Sequence, residues 1–415
     1  MKKVIFRGPI LTRSGYGEQA RFALRSLLSR PDLYDIYIEP RTWGKTNWIF
    51  EDTAEKKLID SLIRKRFMYK GEFDVSMQVT IPNEWEPLAP INVGYTAGIE
   101  TTKVAPQWLE KANMMDNIIV VSNHSKTVFE NTRYDVVDRA TGQKVSGYAC
   151  NTNITAVQYP VRDIEPVQID LDKVDTDFNF LCVAQMGPRK NVLNTIKWFV
   201  EEFKDEADVG LVLKISKANN SVGDRIETKN VLRTFLNTLP DRKCSVYMVH
   251  GNLSDEEMTG LYENEKIHSF VTLTHGEGYG LPIFEAAIAG LPVIAPAWSG
   301  QNDFLYMSDT NEVSGKSKLT PMFTKVSYEL NHIPKEAVWD GVLQADSMWC
   351  YPKEKSAKKA MRNAITARNH NEKVASKLSK KLKEKFTEEI MYERFCSVFG
   401  EGLSDNEETP QVVMV

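Results

Sequence analysis

Short unbroken apolar runs alternate along this chain with longer stretches in which apolar residues return every three or four positions. That is the pattern of buried strands alternating with amphipathic helices. Strands are predicted at 3–6, 36–38, 73–79 and 91–95, and again at 178–184, 209–215, 245–249 and 269–273. Helical periodicity follows several of them: Ala20, Phe22, Ala23, Leu24, Leu27 and Leu28 after the first, 55–68 after the second, and 191–198 after the run at 178–184. Residues 116–125 read as a strand entering a helix, with Ser122 or Asn123 as cap. Ser254 with Glu257 three positions later forms a capping box. Strand, loop and helix in this order predict an α/β chain of two doubly wound, Rossmann-like domains.

The pattern breaks around 160–177 into prolines and acids, which places the linker there and divides the chain into domains at 1–165 and 166–385. A last helix is expected at 386–400 and a loose acidic tail at 401–415. Residues 138–147 read as a hairpin turn. Asp170-Leu171-Asp172 and Asp175-Thr176-Asp177 look like metal-binding D-x-D pairs, but they lie in the linker and read as solvated charge.

Composition narrows the class. With 415 residues and 42% hydrophobic content the chain can bury ample core. Lys+Arg 52 against Asp+Glu 56 does not announce a polyanion-binding protein. Five scattered cysteines form no C-x-x-C pair, and no apolar run approaches the length of a membrane span. A cytoplasmic protein without an integral membrane segment, a disulfide framework or a zinc site is expected.

The densest chemistry lies at 274–295, THGEGYGLPIFEAAIAGLPVIA, which runs from a strand through a glycine loop into a helix and another strand. Gly278 and Gly280 let a ligand approach the main chain, and the helix that follows offers free N–H groups to a phosphate, with Pro282 tolerated in its first turn. Glu277 and Glu285 lie eight positions apart. A carboxylate accepts two sugar hydroxyls at once, so acids beside a phosphate loop suggest a nucleotide sugar. The alternative is that both acids only complement the helix dipole.

Taken whole, this stretch resembles the E-x7-E region of retaining glycosyltransferases of family 4, which have the GT-B architecture; the pattern continues through Glu285-Ala286, Gly290 and Pro292-Val293-Ile294-Ala295. The resemblance implies an acceptor-side first domain and a nucleotide-sugar-binding second domain across a cleft, with the last helix returning to the first domain. It also implies ribose contacts from Glu285, and sugar contacts from Glu277 with the backbone of Gly278, Tyr279, Gly280 and Leu281. The Arg189-Lys190-Asn191 triplet before a helix resembles the donor-diphosphate site, where a fixed cation and helix N–H groups would stabilise the charge on the departing phosphates. Lys214 could add to that cradle, Leu253 would border the base, and the segment from Trp298 to Asn302 would close the donor side. A metal is not expected, and the donor substrate is a nucleoside-diphosphate sugar.

In the first domain, Ser14-Gly15-Tyr16-Gly17 fails the dinucleotide fingerprint and reads as a tight turn; the resemblance places Gly15, Tyr16 and Gly17 at the donor's phosphate and sugar. Trp43 and Trp48, beside Arg41 and Lys45, could stack on a base or sugar ring or pack into core. Where many relatives carry a histidine near the anomeric carbon, this chain has Thr96 to Thr102 without one, leaving Glu100 and Thr101 as candidates. His124 is a further cleft candidate or a structural histidine.

The acceptor is read from weaker signals. The opening RGPILTRSGYGEQAR and the segment WGKTNWI resemble glycosyltransferases of tailed bacteriophages, which favours 5-hydroxymethylcytosine in double-stranded DNA. Between 353 and 385, twelve Lys/Arg against three Asp/Glu in helical pattern could form a DNA-facing ridge or a solvated face. A cell-envelope polysaccharide or lipid-linked acceptor is the rival enzyme reading. A nucleotide-sugar-binding protein without activity is the rival outside it.

Overall fold

The apolar runs become two parallel sheets because strands buried on both faces need no polar alternation. The computed structural model describes residues 1–137, 142–310 and 317–400. The first sheet has the spatial order Tyr34–Pro40, Lys2–Gly8, Val75–Val79, Ile91–Thr96, Asn117–Val120, Asn153–Ala156, all parallel. The second runs Ser245–Val249, Val209–Ser216, Phe178–Gln185, Ser269–Val271, Val293–Pro296, Thr324–Val326, also all parallel. All eight residues of Val209–Ser216 are buried.

Some elements departed from the pattern reading. The edge strand Asn153–Ala156 is short and half polar. Helix Val222–Leu236 buries Asp224, Thr228 and Leu232, a stripe at four-residue spacing whose first two members are polar and therefore invisible to an apolar count. Between 306 and 352 the chain forms two antiparallel hairpins, Tyr306–Thr310 with Ser317–Pro321 and Tyr328–His332 with Met348–Pro352. The first helix begins earlier than expected, spanning Gly15–Leu28, because the Ser14 hydroxyl caps it by accepting from the Gly17 amide at 2.9 Å. The S-G-Y-G segment is thus a helix start, where both glycines lie in the first turn, and not a free loop.

The final helix, Glu388–Gly400, lies against the first half of the chain: Phe395 meets Phe22 at 5.5 Å and Tyr95 at 5.4 Å, and Phe399 meets Tyr34 at 5.2 Å. Where it returns, the Val161 amide donates to the Phe386 carbonyl at 2.6 Å. In the two linker D-x-D pairs the Asp170 carboxylate accepts locally from the Asp172 amide, and the Asp175 carboxylate accepts from the Tyr247 hydroxyl of the second sheet. One hydrophobic cluster spans both halves through Tyr159 and Tyr279, whose rings lie 5.0 Å apart. The expected tail at 401–415 and the turn at 138–141 lie outside the described residues; the strands flanking that turn, Tyr134–Val137 and Lys144–Tyr148, pair antiparallel. Among the described residues no helix is long and apolar enough to cross a membrane.

Candidate functional site

In a doubly wound sheet the loops at the carboxyl ends of the strands diverge where the strand order reverses, leaving a crevice. In the second sheet the reversal falls between Phe178–Gln185 and its neighbour Ser269–Val271. The loop after the first of these carries Arg189 and Lys190, and the loop after the second carries Glu277. Asn191 turns the chain into its helix with φ 52°, and its side-chain amide donates to the Leu273 carbonyl at 2.9 Å, tying the two loops together.

The three side chains meet in an ion network in which Glu277 is buried and the two cations are half-buried. The Lys190 ammonium donates to both Glu277 carboxylate oxygens, at 2.6 and 2.8 Å, and Arg189 reaches the same carboxylate at 3.0 Å and the Gly276 carbonyl at 2.5 Å. Burial opposes ionisation of Glu277, but the Lys190 and Arg189 charges overcome it and bring its pKa down to about 2. Burial and the neighbouring Arg189 lower the Lys190 pKa, with Glu277 working against them.

The glycine loop is shaped for close approach. Helix Leu281–Ile288 starts from Gly280, whose φ of 96° an L side chain resists, with a proline in its first turn as expected. The Glu277 amide donates to the Ser299 hydroxyl at 2.9 Å, and Ser299 is itself held at φ 75° while donating to Gln301 at 2.8 Å. Tyr279 turns its ring away from the loop into the core, 4% exposed and 4.9 Å from Phe304, so only its backbone faces the crevice. On the same helix Glu285 accepts from the Tyr262 hydroxyl at 2.9 Å, and burial raises its pKa to about 7. Tyr262 carries no sequence signal that would have singled it out. Lys214 donates to the Gly251 carbonyl at 2.8 Å, and burial lowers its pKa to about 8.

The first domain closes on this surface. Glu100 pairs with Arg189 at 3.2 Å, and the Ser122 hydroxyl donates to the Gly278 carbonyl at 2.6 Å. A Cβ on Gly278 would overlap the Ala97 carbonyl, and one on Gly276 would overlap that of Glu100. Arg13 donates to the Leu253 carbonyl at 3.3 Å, and Asn47 donates to the Asn252 side chain at 3.3 Å. Glu100 therefore stands at the ion network. Ser122, read from the sequence only as a helix cap, also ties the two domains together.

The remaining first-domain candidates divide. The Tyr16 hydroxyl lies 2.7 Å from that of Thr96 and accepts from the Ala97 amide at 3.3 Å, while its ring packs on Trp43 at 4.1 Å. Gly17 is pressed against Thr12, and Gly15 faces open space. Thr101 is buried and spends its hydroxyl on the Lys103 carbonyl at 2.9 Å, which departs from the acceptor contact expected of it, and Trp48 is half-buried against the core, the alternative the sequence left open. His124 is edge-on to Trp298 at 4.9 Å, and burial lowers its pKa to about 4, so it is neutral near pH 7.

The basic segment also differs from a single cationic ridge. It forms two helices, Glu354–Thr366 and Arg368–Lys385, and several of its cations are matched: Arg362 with Glu202 and Glu206, Lys358 with Glu201 and Glu354, and Arg368 with Glu372.

Two parallel, doubly wound domains facing a cleft, closed by a helix that returns to the first, make this chain a GT-B fold. It is similar over 97% of its length to Anabaena HepE in complex with UDP-glucose, at 13% identity and a TM-score of 0.60 over all of that chain. Its similarity to sucrose-phosphate synthase from Thermosynechococcus elongatus has the same TM-score of 0.60, at 12% identity over 97% of this chain and 99% of that one. In sequence it is 30% identical over 116 residues to the serotype-specific mannosyltransferase WbdA of Escherichia coli, a match to 28% of this chain and 13% of that protein. No protein-family model matches the chain.

Proposed function

We propose that this protein is a retaining glycosyltransferase that moves a sugar from a nucleoside diphosphate to a hydroxyl of a glycan. The observation that carries this reading is the pairing of Arg189 and Lys190 with Glu277 at the switch point of the second sheet. A donor diphosphate entering the crevice takes over the two cations and frees the Glu277 carboxylate to accept sugar hydroxyls. Glu285, held by Tyr262, takes the ribose hydroxyls. The bond from the anomeric carbon to the phosphate oxygen then breaks, and its electron pair stays on the phosphate. Lys190, Arg189 and the N–H groups of helix Leu281–Ile288 stabilise that charge, so the reaction proposed here needs no metal. The acceptor hydroxyl attacks on the face the phosphate leaves, and its proton passes to a phosphate oxygen, which keeps the anomeric configuration.

The partial likeness to a mannosyltransferase and the UDP-glucose held by a protein of the same fold support a nucleotide-sugar donor and a glycan acceptor. A second reading keeps 5-hydroxymethylcytosine in double-stranded DNA as acceptor. It rests on the exposed Lys373, Lys380 and Lys383 of helix Arg368–Lys385 and is weakened by the pairing of Lys358, Arg362 and Arg368 with carboxylates. The test is to incubate the protein with labelled nucleotide sugars and either neutral oligosaccharides, lipid-linked sugars, or DNA with and without hydroxymethylated cytosine. Transfer to a saccharide supports the glycan reading, and transfer to hydroxymethylated DNA alone replaces it with the second. Donor binding without turnover on any acceptor supports a binding protein instead.

A further inference from the structure

The hairpin Tyr328–His332 with Met348–Pro352 belongs to the second domain, yet the chain between its strands leaves that domain and reaches the first. This excursion, 333–347, is fastened at its base and at its tip. At the base, the Cys350 amide donates to the His275 carbonyl at 3.0 Å, one residue before the glycine loop, and the Met348 amide donates to the Thr102 hydroxyl at 3.0 Å. At the tip, the Asn83 amide donates to the Gly341 carbonyl at 2.9 Å, and Asn83 is itself oriented by the Trp108 indole N–H at 2.6 Å. Val342 packs against the first-domain cluster that contains Tyr16, Trp85 and Ile99 and that Trp43 also covers. Lys103 pairs with Asp346 at 2.5 Å. Asn83 and Thr102 follow the strands Val75–Val79 and Ile91–Thr96, so the excursion sits over the carboxyl ends of the first sheet, where open α/β sheets receive ligands.

Trp339 stands on this tip and is 55% exposed. The turn does not need the ring: the Trp339 amide donates to the Leu343 carbonyl at 3.1 Å, the Leu343 amide donates back at 2.8 Å, and the half-buried Val342 supplies the anchor. Gly341, at φ 72°, lets the chain turn against Asn83 and Gln107. A large indole held in water on a braced turn is a preformed, low-entropy contact surface. Glu336 and Asp340 stand exposed on either side of it in the chain. An exposed indole face in a segment that also carries the exposed Lys335, Glu336 and Asp340 suits a pyranose ring, whose C–H face would lie on the indole while its hydroxyls reach polar groups of the same segment.

We propose that Trp339 is an acceptor-binding platform that stacks on a neutral sugar ring of the glycan, at a subsite supplied to the first domain by the second. This rests on the glycan reading of the function, and its test separates the two. Wild-type protein, Trp339→Ala and Trp339→Phe are assayed with a panel of neutral manno-, gluco- and galacto-tetraoses, together with donor hydrolysis in the absence of acceptor. In Trp339→Ala the acceptor KM rises about tenfold or more while donor KM and acceptor-free hydrolysis stay at wild-type values; Trp339→Phe restores most of the loss. An acceptor KM within about twofold of wild type in Trp339→Ala overturns the platform and leaves the transferase reading intact. A binding arm does not depend on turnover. Protein labelled with 5-fluorotryptophan is titrated with the same tetraoses, the Trp339 resonance being the one missing from Trp339→Phe. The resonance shifts and saturates on the platform account; a stationary resonance across the panel contradicts it, whether or not the enzyme transfers sugar.

Discussion

The Glu277 carboxylate lies 2.6 Å from the Lys190 ammonium, so the anion proposed to meet the sugar is paired with the cation proposed to meet the phosphates. On that proposal donor binding is an exchange of counter-ions. Glu277 is 7% exposed, and removing its charge leaves the half-buried Lys190 without its carboxylate and Arg189 with Glu100 alone. Glu277→Gln is expected to lower stability by roughly 1–3 kcal/mol, read by thermal or denaturant unfolding, and saturating nucleoside diphosphate is expected to restore part of it. The pH dependence has a definite sign. A carboxylate held at about 2 contributes stability that is full above the ordinary carboxylate range and is lost as pH falls toward 2; Glu277→Gln should flatten that acid limb.

Glu285 behaves in the opposite sense. Burial raises its pKa to about 7, so the folded chain holds a proton that the unfolded chain has released. Its contribution to stability therefore falls as pH rises from the ordinary carboxylate range through 7. Glu285→Gln should remove that slope from unfolding curves measured between pH 5 and 8 and weaken donor binding at pH 8, where the native carboxylate is ionised and accepts the ribose hydroxyls.

Lys214 titrates at about 8 because it is buried. Between that value and the ordinary lysine range the folded chain holds fewer protons than the unfolded one, so this group adds stability as pH rises through the window. If Lys214 adds to the diphosphate cradle as the sequence reading expects, donor affinity should move the other way. Titration calorimetry with a nucleoside diphosphate from pH 7 to pH 9.5 should show weakening in the wild type that Lys214→Met lacks.

Gly278 is the point at which a single methyl group acts on the whole cleft. Its added Cβ would overlap the Ala97 carbonyl across the domain interface. Gly278→Ala should hold the domains apart, raise the radius of gyration in solution scattering, and reduce kcat/KM by on the order of a hundredfold, the scale of an ångström-level misplacement. Wild-type turnover in this variant would show that the closed contact is dispensable.

How much of this was legible in the sequence follows from the physics of each signal. Buried parallel strands such as Val209–Ser216 announce themselves because both faces are apolar. The 274–295 stretch did so because its glycines and acids sit at the spacing a strand-loop-helix site requires. Helix Val222–Leu236 stayed hidden because its inner stripe contains Asp224 and Thr228, and the hairpin at 328–352 because its strand Tyr328–His332 is mostly exposed and carries mixed residues. The direction of the Tyr279 ring, the Tyr262 bond to Glu285 and the reach of Trp339's loop to Asn83 are tertiary facts, with no periodicity to betray them. The crevice at the second sheet's switch point was therefore largely readable, and the segments the first domain and the 333–347 excursion bring to it were not.

The central claim is that Lys190 and its partners hold the diphosphate of a nucleotide sugar. Its most direct test is turnover of a panel of nucleoside-diphosphate sugars by the wild type and Lys190→Ala, followed as release of nucleoside diphosphate. The account predicts that at least one donor is consumed and that Lys190→Ala loses about a hundredfold or more of that rate while remaining folded. Release at an unchanged rate in Lys190→Ala, or no donor bound by the wild-type protein, would contradict it.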